Sequence, residues 1–123
     1  MNWEEASILI KNTIQRGENI NTQKSKQRLV EEIPPFQCKR YNYKNEEGYK
    51  VRIGIKQIIE IPITMLETVF NLASENNRTY NNKIFATAFP KQAKAHGCHV
   101  HVVGRIFELC GVANKKDGNY EIL

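Results

Sequence analysis

No apolar run in this 123-residue chain approaches the roughly 18–20 residues that span a bilayer, so no membrane partner is expected. The start, Met1-Asn2-Trp3-Glu4-Glu5, lacks the basic leader of a secretory signal, and export is not expected either. Cysteine is scarce. Cys38, Cys98 and Cys110 are odd in number, far apart and without a CxxC pair, which argues against a disulfide scaffold and for a reduced, cytoplasmic compartment. No HExxH, phosphate loop or GxSxG is present, and carboxylates come in adjacent surface-like pairs such as Glu4-Glu5, Glu31-Glu32 and Glu46-Glu47. No enzyme activity and no cofactor are expected on these grounds. There is no basic tail and no run of five like charges.

What is present is a moderate basic excess. Eighteen Lys+Arg against thirteen Asp+Glu give +5 and a pI near 9.2, a balance that favours an acidic partner, nucleic acid first. Yet 14 Ile, 13 Asn and 12 Lys are types favoured by AT-rich codons, so composition alone can make such a chain basic. Location must therefore decide what the charge means.

Residues 1–62 predict a helix and a small antiparallel sheet. Asn2 and Glu5 form a capping box, Trp3, Ala6, Ile10 and Ile14 recur at helical spacing, and Gly17 ends the element. Trp3 is expected to anchor packing. Residues 18–35 read as a loop or arm with one helical turn around 27–32. Its Lys24, Lys26 and Arg28 would touch phosphate or simply be solvated. Tyr49, Val51, Ile53 and Ile55 alternate with Lys50, Arg52 and Lys56, predicting a strand with one apolar and one basic face. Phe36–Lys44 reads as its hairpin partner across the turn 45–48, and 58–61 as a third strand. The basic face, with Tyr41 and Tyr43 beside it, suits a nucleic-acid backbone track or, equally, a solubilising sheet edge.

Residues 63–123 predict helix, helix, helix, hairpin. Met65, Leu66, Val69, Leu72 and Ala73 define the first helix. The second starts at Asn81 or Asn82 and carries Ile84, Phe85, Ala88 and Phe89. Residues 90–96 form a linker or an extra helical turn. The third helix, about 100–110, places Val102, Val103, Ile106, Phe107, Leu109 and Cys110 on one half and His101, Gly104, Arg105 and Glu108 on the other. Asp117-Gly118 then predicts a hairpin turn.

His96, Cys98, His99 and His101 raise a zinc reading. On a helix His99 and His101 lie about 200° apart and cannot share an ion, so no metal is expected and His99 should pack at the helix start.

The run Val100-His101-Val102-Val103-Gly104-Arg105-Ile106-Phe107-Glu108-Leu109-Cys110-Gly111-Val112-Ala113 resembles a recognition helix opening into a wing, and Asp117-Gly118-Asn119-Tyr120 resembles the wing's return. Residues 63–123 thus look like a winged helix-turn-helix, and the whole chain like an α+β unit in which the N-terminal helix and small sheet precede it. The resemblance implies a double-stranded DNA partner. His101, Gly104 and Arg105 would face the major groove, with Arg105 reading a base edge. Lys115, Lys116 and Asn119 would be wing contacts, and Lys91 and Lys94 phosphate contacts that position the duplex. The connection between Phe89 and Cys98 is longer than the family's turn, and Glu108 would repel phosphate unless it pairs with Arg105 or meets cytosine. Expected roles are a regulator or the DNA-reading part of a restriction or nuclease system. The alternative is an inhibitor or immunity-type protein of a mobile element, docking a protein partner through the same surface.

Overall fold

The computed structural model describes residues 1–22 and 27–123, so Lys24 and Lys26 lie outside the described residues. Helix α1 (Trp3–Thr13) opens on the expected capping box, with Asn2 Oδ1 accepting from Glu5 N at 2.9 Å. Its Ala6 and Ile10 are buried, and Trp3 tilts against Phe70 with ring centroids 5.7 Å apart.

Arg28–Glu32 forms strand β1 rather than a helical turn. Only Leu29 and Val30 are apolar there, too few to show a period. β1 pairs antiparallel with β3 (Glu46–Ile53), and Gln37–Cys38, strand β2, continues the same edge of β3 at Glu46 and Glu47. Pro34 and Pro35 lack the N–H a continuous ladder needs, which breaks this edge into two short pieces. The expected hairpin partner Phe36–Lys44 therefore contributes only β2, followed by a 3-10 turn at Arg40–Asn42. Glu46 and Glu47 belong to β3, not to a turn, and Ile55 lies beyond the strand, 80% exposed. β4 (Gln57–Pro62) pairs along the other edge of β3, from Gly48↔Pro62 to Ile53↔Gln57.

Helix α2 (Ile63–Glu75) follows directly and buries Met65, Leu66, Val69, Phe70 and Ala73. A two-residue strand, β5 (Thr79–Tyr80), precedes α3 (Asn82–Ala88), whose N-cap Asn81 accepts from Ile84 N at 3.0 Å. The stretch after Phe89 is a helix of its own, α4 (Pro90–Ala95), with proline in the first turn, where a missing N–H costs nothing. Helix α5 (Cys98–Leu109) leads into β6 (Ala113–Lys116) and β7 (Asn119–Ile122). The residues between those strands, Asp117 and Gly118, have φ of 51° and 82°, the left-handed pair a two-residue hairpin turn requires. β5 joins this hairpin on the β7 side, giving the order β5-β7-β6. The C-terminal part thus holds four helices and a three-stranded sheet, one helix and one strand more than the pattern predicts.

One buried cluster runs from Ala6 and Ile10 through Val51 and Ile61 to Phe107 and Ile122, so the two parts share a core. Phe107 packs edge-on against Phe70 at 6.3 Å and Tyr80 at 5.7 Å. Full burial of such a ring contributes about 1.5–3 kcal/mol. The Tyr80 hydroxyl donates to Val100 O at 2.8 Å, and burial raises its pKa well above the ordinary value. Burial also pushes the Cys38 and Cys110 thiols up to about 12, which keeps them protonated and unreactive at neutral pH. Among the described residues no helix is long and apolar enough to cross a membrane.

Candidate nucleic-acid interface

Helix α5 buries seven of its twelve residues: His99, Val100, Val102, Val103, Gly104, Ile106 and Phe107. Its accessible stripe is Cys98, His101, Arg105 and Glu108, at the spacing of one helical face, and only His101 of these is exposed, the others being half-buried.

Gly104 is not on that stripe. It is buried against Tyr120, and a Cβ there would lie inside the van der Waals envelope of the tyrosine ring. Glycine is needed at 104 because α5 and the hairpin approach too closely for any side chain, so the expectation that it lets DNA approach gives way to a packing role. Arg105 Nη1 donates to Glu108 Oε1 at 3.0 Å, the pairing that removes the repulsion Glu108 would otherwise exert. The Arg105 Nε is buried with no hydrogen-bond partner among the described residues.

Lys115, Lys116 and Asn119 are exposed on the hairpin. Lys115 Nζ stands 5.8 Å from the Tyr120 ring centroid in a cation–π contact, and Lys116 pairs with Glu121 at 3.5 Å. Lys91 and Lys94 are exposed on α4 with no ion pair among the described residues. The sheet face is different. Glu31 of β1 takes both Lys50, at 3.7 Å, and the Arg52 guanidinium, which also reaches Ile55 O, while Lys56 stays exposed in the turn. Tyr41 and Tyr43 turn away from this face. Tyr41 meets the His99 ring at 5.8 Å, and the Tyr43 hydroxyl accepts from Gln92 Nε2 at 3.0 Å. They dock the sheet on α4 and α5 instead of lining a basic track.

His99 packs at the start of α5, as its position in the sequence implies. Its Nδ1 lies 3.0 Å from His96 O, which requires the N–H on that nitrogen, and its ring stacks on Phe85. Burial lowers its pKa, so the neutral imidazole is the folded form. Among the described residues no three His, Cys, Asp or Glu side chains group as metal ligands.

The residue that sequence reasoning undervalued is Arg28. It is 5% exposed and, by strand alternation, shares the inner face of β1 with Val30. The signal was present in the two-residue spacing to Val30, but it is legible only once the segment is known to be a strand. Burial lowers the Arg28 pKa, opposed by Cys98 and Tyr120 and reinforced by Arg105. The His101 pKa is lowered first by partial burial, then by the charges of Arg28 and Lys115. Comparison with known protein families, curated proteins and solved structures finds no match to this chain.

Proposed function

We propose that residues 63–123 form a winged-helix-type module that binds double-stranded DNA. Lys91 and Lys94 of α4 and Lys115, Lys116 and Asn119 of the hairpin anchor phosphates, with His101 and Arg105 at the groove. The observation that carries this reading is the hairpin after α5, joined by β5 and seated on Gly104 through Tyr120, with its cations turned outward. Net charge does not set the module apart, since residues 63–123 hold seven Lys/Arg against five Asp/Glu and residues 1–62 eleven against eight; the outward placement of the cations is what supports the reading. Base reading is narrower than a fully exposed recognition helix provides, because Arg105 must exchange Glu108 for a base. A regulator, or the DNA-reading part of a restriction or nuclease system, fits a module whose affinity comes mostly from phosphates. Titration of labelled duplex by anisotropy at increasing salt tests it. Binding that weakens steeply with salt supports the reading, and no duplex binding at low salt ends it.

The burial of seven α5 residues favours a second reading, in which the unit is an inhibitor or immunity-type module docking a protein. Under that reading duplex DNA does not compete with the partner.

A further inference from the structure

Helix α1 carries apolar side chains on both of its faces. Ala6 and Ile10 are buried, yet Ile8 is 55% exposed and Leu9 is exposed beside it. Of the five large apolar side chains exposed among the described residues, Met1, Ile8 and Leu9 fall on this element or just before it. Isolated exposed apolar residues are ordinary, whereas a group of them on one helix marks a contact surface. Glu4 and Lys11 frame the group. At about 100° per residue, Glu4, Ile8 and Lys11 form one row, i, i+4, i+7, within an arc of about 60°. Both charged residues are exposed, and neither has an ion pair among the described residues. They cannot pair with each other, because seven residues separate them by about 10.5 Å along the helix axis. Beside Lys11 a cavity of about 350 Å³, walled by Ile14, Ile33, Pro34, Pro35, Glu47 and Tyr49, continues the apolar surface beyond the helix.

We propose that this face of α1 binds α1 of a second copy of the chain, antiparallel, about a two-fold axis passing beside Ile8. A row that is acidic at one end, apolar in the middle and basic at the other is complementary to itself only when reversed, which a two-fold axis achieves. Ile8 then meets the partner's Ile8. Leu9 meets the partner's Leu9 on one side of the seam, and Glu4 meets the partner's Lys11 on the other, twice by symmetry. Parallel pairing would instead set Glu4 against Glu4 and Lys11 against Lys11. A helix of 11 residues presents a face about 16 Å long and about 10–12 Å wide. That is well below the roughly 800 Å² that each partner contributes to a standard interface, so the dimer is weak and reversible. It uses no cation of residues 63–123 and stands apart from the DNA-binding reading.

The test is sedimentation velocity of the full chain without DNA, at low salt and from micromolar to millimolar concentration, with circular dichroism to confirm that each variant is folded. The native chain should shift from monomer to dimer as concentration rises. Ile8→Lys should abolish the shift. Glu4→Lys and Lys11→Glu, each alone, should weaken self-association by about tenfold, because like charges replace both ion pairs. Mixing these two single variants in equal amounts should restore a dimer, because unlike charges then oppose each other at both ends. Charges that serve only the dipole of their own helix give no such recovery on mixing. A native chain that stays monomeric throughout overturns the pairing and leaves the face to a different partner. A dimer that survives Ile8→Lys, or single charge variants that are not weakened or do not recover on mixing, overturns it as well.

Discussion

In the N-terminal sheet Glu31 draws Lys50 and Arg52 to one carboxylate, Glu60 holds Arg40, and Glu32 faces Arg16. From residue 76 onward ion pairs are sparser: Lys91, Lys94 and Lys115 have no carboxylate partner among the described residues, as Lys56 at the sheet's turn has none, and Arg105 and Lys116 each meet one. Equal density of cations therefore has two different meanings along one chain. In the sheet, cross-strand pairs neutralise charge and stabilise register. In the helical part, a tightly packed scaffold holds cations outward.

Substitutions that separate these roles should differ in size. Gly104→Ala is expected to be the most damaging, because the added methyl must displace the Tyr120 ring. A loss of about 1–3 kcal/mol in denaturant unfolding is expected from such overpacking. Glu31→Gln should make the sheet resemble the helical part. It frees Lys50 and Arg52, lowers stability by about 0.5–1 kcal/mol as partly exposed ion pairs do, and steepens the salt dependence of duplex binding. Acid should produce a smaller effect still. His99 and His101 both have lowered pKa values, so the unfolded chain takes up protons first, near the ordinary value of 6.5. Their contribution is complete above that value and is lost as pH falls below it. Melting temperature should drop across this range, and less so in His99→Gln. Lys91→Ala with Lys94→Ala should leave stability within about 0.5 kcal/mol while weakening duplex binding, a separation that marks those side chains as phosphate anchors without a part in the core.

Much of the fold could be read in advance where a local rule acts alone. The Asn2–Glu5 capping box, the apolar stripe of α2, the Asn81 cap and the Asp117-Gly118 turn are each determined by neighbours in sequence. β1 was not legible because its identity depends on pairing with β3, far along the chain, and its Arg28 alternates with Val30 as no strand template expects. β5 is two residues long and exists only because β7 reaches it. The site divides the same way. The exposed positions of Lys91, Lys94, Lys115, Lys116, Asn119 and His101 follow from polarity, whereas Gly104 lies on the polar side of a wheel by angle and is buried by a ring from another element. The Lys50 and Arg52 face looked cationic because its anion, Glu31, belongs to that unforeseen strand.

The slope of duplex affinity against salt concentration tests the central contrast most directly, measured for the native chain, for Lys115→Ala with Lys116→Ala, and for Lys50→Ala with Arg52→Ala. The account predicts that the wing pair lowers the slope by about 1–2, one for each phosphate no longer neutralised, and that the sheet pair leaves it unchanged. Equal reductions from both pairs, or no change from the wing pair, would contradict it.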